Sequence, residues 1–164
     1  MEKIIRGRVW KFGDNIDTDQ IALTVYGRLP MDEMKSHVLE RIRPEFGKGA
    51  KPGDIIVAGA NFGCGSSRET APVAIKALGI GAVVAESFAR IFFRNAIAIG
   101  LPAIACPGIS TAFEDSDQLK LDIDKAQVTN LRNGKVLKAE ALPAEMLEVL
   151  EKGGILALLK AMKA

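Results

Sequence analysis

Three short apolar runs, at residues 54–59, 81–85 and 101–106, alternate with stretches of helical character, and this rhythm constrains the fold more than any other feature. Each run is short and apolar enough to be a strand buried on both faces. Strands joined through helices must pair in parallel, because a crossover returns the chain to the same end of the sheet. The first connecting helix is expected to begin close to Arg68 or Glu69 and to end near Gly79. Pro72 fits it only within the first turn, where the missing N–H costs nothing. The second spans residues 88–99, with Ser87 able to cap it and Gly100 to end it.

The flanks have a different character. Residues 4–12 alternate as a first strand, with Val9 and Trp10 raising its β-propensity. Pro30 marks the start of a helix over residues 31–41, and Lys51-Pro52-Gly53 is a turn. Beyond Gly108, residues 119–124, 126–131 and 135–139 read as strands, with Asn133-Gly134 as a hairpin turn. Pro143 opens a helix to Lys152, Gly153-Gly154 breaks it, and residues 155–162 form a terminal amphipathic helix. At 164 residues, 48% of them hydrophobic, the chain can build one good core. No internal repeat or linker divides it. The reading is one α/β domain over residues 1–164, with a parallel core and antiparallel additions.

Composition removes several functions. The 22 basic and 20 acidic residues nearly cancel, and one Trp, one Tyr and seven Phe offer few stacking platforms. Nucleic-acid binding is therefore disfavoured. Charges and glycines interrupt every apolar run before membrane-spanning length. The opening Met1-Glu2-Lys3-Ile4-Ile5-Arg6 has no apolar signal core, and two cysteines, Cys64 and Cys106, cannot form a disulfide framework. Both point to the cytoplasm. Two thiols are also too few for a cubane iron–sulfur cluster, which takes at least three. The single histidine, His37, lies in a polar stretch and reads as a solvated surface residue.

The chemistry gathers between the first apolar run and its helix, in Asn61-Phe62-Gly63-Cys64-Gly65-Ser66-Ser67-Arg68-Glu69. Gly63 and Gly65 allow a tight turn that brings backbone amides close to a ligand. The following helix directs its free N–H groups there, Ser66 and Ser67 add hydroxyls, and Arg68 adds a planar fork suited to a carboxylate. Ser66 and Glu69 also have capping-box spacing, but capping leaves the two glycines, the second serine and the arginine without a role. A dinucleotide fingerprint would want glycine where Arg68 stands, and a Walker loop would end in Lys-Ser or Lys-Thr. A pocket for a small carboxylate or phosphate is the better reading. Cys64 reads as a small buried spacer. Asp17 and Asp19 lack the rest of a calcium loop, so capping and loop support are expected of them and no metal site is assigned.

That loop resembles the signature of aconitase-superfamily swivel domains. Lys51-Pro52-Gly53-Asp54-Ile55-Ile56-Val57 ahead of it resembles the same family. So do Ala85-Glu86-Ser87-Phe88-Ala89-Arg90-Ile91-Phe92-Phe93-Arg94-Asn95-Ala96 after it, and the segment from Gly7 to Asp19. The likeness spans most of the chain, whose length suits the short small subunits of 3-isopropylmalate dehydratase and homoaconitase. It implies a swivelling β/β/α three-layer domain with a parallel central sheet and a smaller antiparallel one. It also implies a hydro-lyase that removes and re-adds water on a hydroxy-polycarboxylic acid. A [4Fe-4S] cluster, held by a separate large subunit, would act as Lewis acid toward the hydroxyl. By position Ser66 would be the base that takes the carbon-bound proton, with Ser67 and Arg68 on a substrate carboxylate and Asp19, Gly63 and Gly65 in support. Thr70 departs from the family pattern, where histidine often follows the Arg-Glu pair, and only local repacking is expected from it.

In that family the loop after Asp17-Thr18-Asp19 reads the substrate side group. An apolar residue suits an isopropyl group, and an arginine suits an extra carboxylate. If Tyr26 keeps the family register, Arg28 takes the arginine position; a one-residue slip would put Leu29 there. Isopropylmalate chemistry is expected first, with homoaconitase, 2,3-dimethylmalate dehydratase or a non-catalytic anion-binding module as alternatives.

Overall fold

The computed structural model describes residues 3–66 and 68–163. Among these residues seven strands follow in chain order: β1 (Ile4–Lys11), β2 (Ile55–Ala58), β3 (Ala82–Ala85), β4 (Ala103–Ala105), β5 (Gln118–Asp122), β6 (Gln127–Asn130) and β7 (Val136–Lys138). They form one sheet in the order β4-β3-β2-β1-β5-β6-β7. The expected parallel and antiparallel sheets are both present, and they share a strand. Val9–Lys11 of β1 pairs in parallel with Ile55–Val57 of β2, while Ile4–Arg8 pairs antiparallel with β5. Gly7 lies beside this change of partner, where a Cβ would overlap the Gly53 carbonyl. Only a residue without a side chain lets the two backbones meet there.

Among the described residues eight α-helices accompany the sheet: α1 (Thr18–Ile21), α2 (Met31–Met34), α3 (Phe46–Gly49), α4 (Thr70–Ala77), α5 (Arg90–Ala98), α6 (Ile109–Ala112), α7 (Ala144–Glu151) and α8 (Ile155–Lys163). The β2-α4-β3-α5-β4 run realises the expected crossovers, with α4 packed on α5 and α5 on α7. All four residues of both β2 and β3 are fully buried, as apolar strands covered on both faces must be. Pro72 is the third residue of α4, inside the first turn as its chemistry requires.

Two local expectations are corrected. The helix expected over residues 31–41 stops at Met34 and tightens into a 3-10 turn over Lys35–His37. Leu39 then takes a left-handed backbone (φ 57°), and Val38 and Leu39 both turn fully into the core. The extended backbone of Val38 (ψ 127°) and the left-handed one of Leu39 leave the helical path, which lets both side chains reach the core. Ser87 does not cap α5, whose N-cap is Ala89 without a side-chain bond. Its Oγ instead accepts a hydrogen bond from the Asn61 amide at 2.8 Å.

The core has two aromatic centres. Trp10 and Phe12 meet Phe46 edge-on, at 5.1 and 5.2 Å between ring centroids. The Trp10 indole donates to the buried Asp54 carboxylate at 2.8 Å. Phe62, Phe88 and Phe92 form the second cluster, directly beneath the glycine-rich loop. Among the described residues no helix is long and apolar enough to cross a membrane.

Candidate active site

The chain leaves β2 at Ala58 and runs on between two neighbours. On one side Asn15 donates its amide to the Ala60 carbonyl, Gly63 to Ile16, and Thr18 to Cys64. On the other, Phe62 donates to Ser87 and Ala89 to Phe62. Residues 59–64 thus prolong the sheet irregularly past the carboxyl ends of its parallel strands, where open α/β sheets place their ligands. Asn61 turns the chain with φ 60°, and Gly63 and Gly65 follow at φ 83° and 92°. A Cβ on Gly63 would overlap the Phe92 side chain, whereas one on Gly65 would make ordinary contacts with Asp17 Cβ at 3.4 Å and Thr18 Oγ1 at 3.7 Å. Gly63 is required by packing as well as by conformation. Gly65 is required by conformation alone.

Ser66 stands on this turn, exposed, four residues before α4 begins. Its Oγ accepts from Arg68 Nε at 3.3 Å and lies 3.4 Å from Thr18 Oγ1. Thr18 is nearly fully buried (2% exposed), and its hydroxyl donates to the Ser66 carbonyl oxygen at 2.8 Å. Threonine has one hydroxyl hydrogen, and the shorter contact takes it. The Ser66 hydroxyl is then left to donate toward Thr18 and to accept from Arg68. The Ser66–Glu69 capping box is not formed, since Glu69 is itself the N-cap of α4 and has a helical backbone. A capping box does form at α1, between Asp17 and Gln20.

Asp19 ties this loop to the next. Its Oδ1 accepts from the Thr24 hydroxyl at 2.6 Å and from the Thr24 amide at 3.3 Å, and stands 3.7 Å from Arg68 Nη2. The Thr24 hydroxyl, then its amide, holds the Asp19 carboxyl below its ordinary range, with Arg68 assisting. Arg28 is exposed and forms no hydrogen bond or ion pair with another described residue of the site. Ser67, the expected partner of Arg68 on a carboxylate, lies outside the described residues. Cys64 is partly exposed, not buried as a spacer would be.

His37 departs most from its sequence reading. Its ring stacks on Tyr26 at 3.9 Å between centroids and 16° between planes, and its Nδ1 lies 2.9 Å from Glu40 Oε1. Tyr26 donates its hydroxyl to the other oxygen of the same carboxylate at 2.8 Å. Sequence reasoning missed Thr18 and Glu40 entirely. The His37-x-x-Glu40 spacing was the only available sign of the second, and nothing local marked the first.

A four-iron cluster does not fit this chain's own donors. Cys106 is fully buried and its thiol is pushed up to about 11, by burial and then by Glu86. Among the described residues no three of His, Cys, Asp and Glu gather as a metal site.

A parallel sheet prolonged into a glycine-, serine- and arginine-bearing turn is the architecture of aconitase-superfamily swivel domains. The family model for the aconitase C-terminal domain matches residues 14–107, and the chain belongs to that family. It is 51% identical to the isopropylmalate/citramalate isomerase small subunit of Methanocaldococcus jannaschii, over 98% of this chain and 96% of that one. It is 53% identical to the methanogen homoaconitase small subunit of Methanothermobacter thermautotrophicus, over 94% and 90% respectively. The crystal structure of 3-isopropylmalate dehydratase from Methanocaldococcus jannaschii superposes with a TM-score of 0.92 at 45% identity, covering 98% of this chain and 95% of that one.

Proposed function

We propose that residues 1–164 form one swivel domain, the small subunit of a cytoplasmic 3-isopropylmalate dehydratase. It interconverts 2- and 3-isopropylmalate by dehydration and rehydration, together with a large subunit that carries the [4Fe-4S] cluster. Relatives named as small subunits support the division of labour. The observation that carries the chemistry is Ser66 Oγ held within 3.3 Å of Arg68 Nε on a turn pinned by Thr18.

Ser66 is the base that takes the carbon-bound proton. A hydroxyl is a feeble base, and each unit by which its pKa falls takes about 1.4 kcal/mol of preferential stabilisation of the alkoxide. The Arg68 N–H supplies part of this by bonding to the charged form. Ser66 is exposed in the single chain, not buried as its role requires, so the large subunit must close over it to exclude water. Arg68 has a second task, with Ser67, on a substrate carboxylate.

One observation favours a second reading. Arg28 projects from the loop at residues 24–29 with no acidic partner among the described residues, and an extra substrate carboxylate would suit it. Homoaconitase-type or dimethylmalate substrates therefore belong in the same assay. The chain co-expressed with its large subunit is expected to turn over isopropylmalate under anaerobic conditions faster than homoaconitate or dimethylmalate, and to be inactive alone. Ser66→Ala is expected to abolish turnover while the subunits still assemble. Full activity of that variant would remove Ser66 from the chemistry, and a reversed order of substrates would favour the second reading.

A further inference from the structure

We infer that Glu40 is a positioning residue for the substrate-selecting loop, clamping it through Tyr26 and His37 in the register that the substrate side group meets. The inference deepens the proposed function and rests on it for the identity of the ligand.

The loop at residues 24–29 has little to hold it by itself. It is a single 3-10 turn over Thr24–Tyr26, followed by amide bonds from Gly27 to Thr24 and from Leu29 to Tyr26. Such short turns have poor hydrogen-bond geometry and no cooperative reserve. Val25 is 70% exposed and Arg28 also faces solvent. Tyr26 and Leu29 pack against the core, and among the described residues two side-chain hydrogen-bond ties fix the loop further. Thr24 is tied to Asp19, and Tyr26 is tied to Glu40.

The second tie is closed on three sides. Both Glu40 oxygens are used, one by Tyr26 at 2.8 Å and one by His37 at 2.9 Å, and the two rings stack on each other. The His37 contact, then the Tyr26 hydroxyl, lowers the Glu40 carboxyl below its ordinary range, which keeps the acceptor ionised. The base of the clamp is rigid as well. Leu39 is fully buried and donates its amide to Ile21, the last residue of α1. The same α1 carries Thr18 under Ser66 and Asp19 between Thr24 and Arg68. One four-residue helix therefore references the proton-abstracting turn and the selecting loop to each other. Moving the clamp changes where the substrate side group is met and leaves the Ser66–Arg68 pair in place.

The test uses the assembled enzyme with Glu40→Ala, Tyr26→Phe and the double variant. Each single variant is expected to raise KM for the preferred hydroxy acid about ten-fold with kcat within about two-fold. The double variant should be no worse than the more severe single one, because both break one clamp. Glu40→Gln, which can still accept from Tyr26 and bond His37, should restore KM to within about two-fold. An unchanged KM, a fall in kcat at constant KM, or additive effects would overturn the inference. If the parent complex is inactive on every hydroxy acid tried, the functional reading fails. Amide exchange in the single chain then decides the clamp. Gly27 and Leu29 are expected to exchange about ten-fold faster in Glu40→Ala, and unchanged exchange would overturn it.

Discussion

The hydroxyl of Thr18 donates to the carbonyl oxygen of Ser66 at 2.8 Å, joining residues 48 positions apart. Thr18 is buried beneath Gly65 and Ser66, which are themselves exposed, so its hydroxyl supports the turn from within.

Replacing Thr18 by valine keeps the volume and removes that support. Misplacing a reacting group by about 1 Å can lower turnover about 100-fold. Thr18→Val is expected to reduce kcat of the assembled enzyme by about that factor with little change in KM, read by anaerobic steady-state kinetics. Parent-like kcat would show that the turn is positioned by other contacts.

The two loop glycines should separate under alanine substitution. Gly63→Ala meets the Phe92 ring as well as an unfavourable backbone, and should destabilise the chain by about 2–4 kcal/mol. Gly65→Ala meets only the backbone penalty, about 1–2 kcal/mol. Urea unfolding of the two variants checks the order, and equal losses would mean that Phe92 moves aside freely.

Away from the site, Arg132 grips Asp117 with two N–H groups at 2.8 and 3.2 Å. That contact, assisted by the Glu114 amide and Asn130, draws the Asp117 carboxyl from 3.8 down to about 2. A carboxyl whose folded-state value is depressed stabilises the fold fully above its unfolded value and loses this as pH falls through the folded one. The parent should therefore lose stability between about pH 4 and pH 2. Asp117→Asn should be less stable than the parent at pH 7 and show a flatter decline in that window. Urea midpoints measured across pH test this, and parallel curves would exclude Asp117 as a source of the acid sensitivity.

The parallel core was legible because its cause is local. Runs such as Ile55-Ile56-Val57 between turn residues can satisfy their surface only as strands covered on both faces. The Ser66–Arg68 turn was legible for the same reason, since its glycines, hydroxyl and guanidinium are neighbours in the chain. The helix expected over residues 31–41 failed where distant packing prevailed, with Val38 and Leu39 drawn into the core. His37 was misread because Tyr26, on which its ring stacks, reaches it only after the chain folds back, although Glu40 lies three residues away.

By itself the sequence determined the order of the strands, the place of the glycine–serine–arginine turn and the shortage of thiols for a cluster, since each follows from residues adjacent in the chain or from their number. Tertiary structure alone decided that β1 joins the parallel and antiparallel parts of the sheet, that Thr18 lies beneath Ser66, and that α1 links the turn at Ser66 to the loop at residues 24–29. Those relationships rest on hydrogen bonds and close approaches between segments tens of residues apart, and such contacts exist only once burial of the core has brought the segments together.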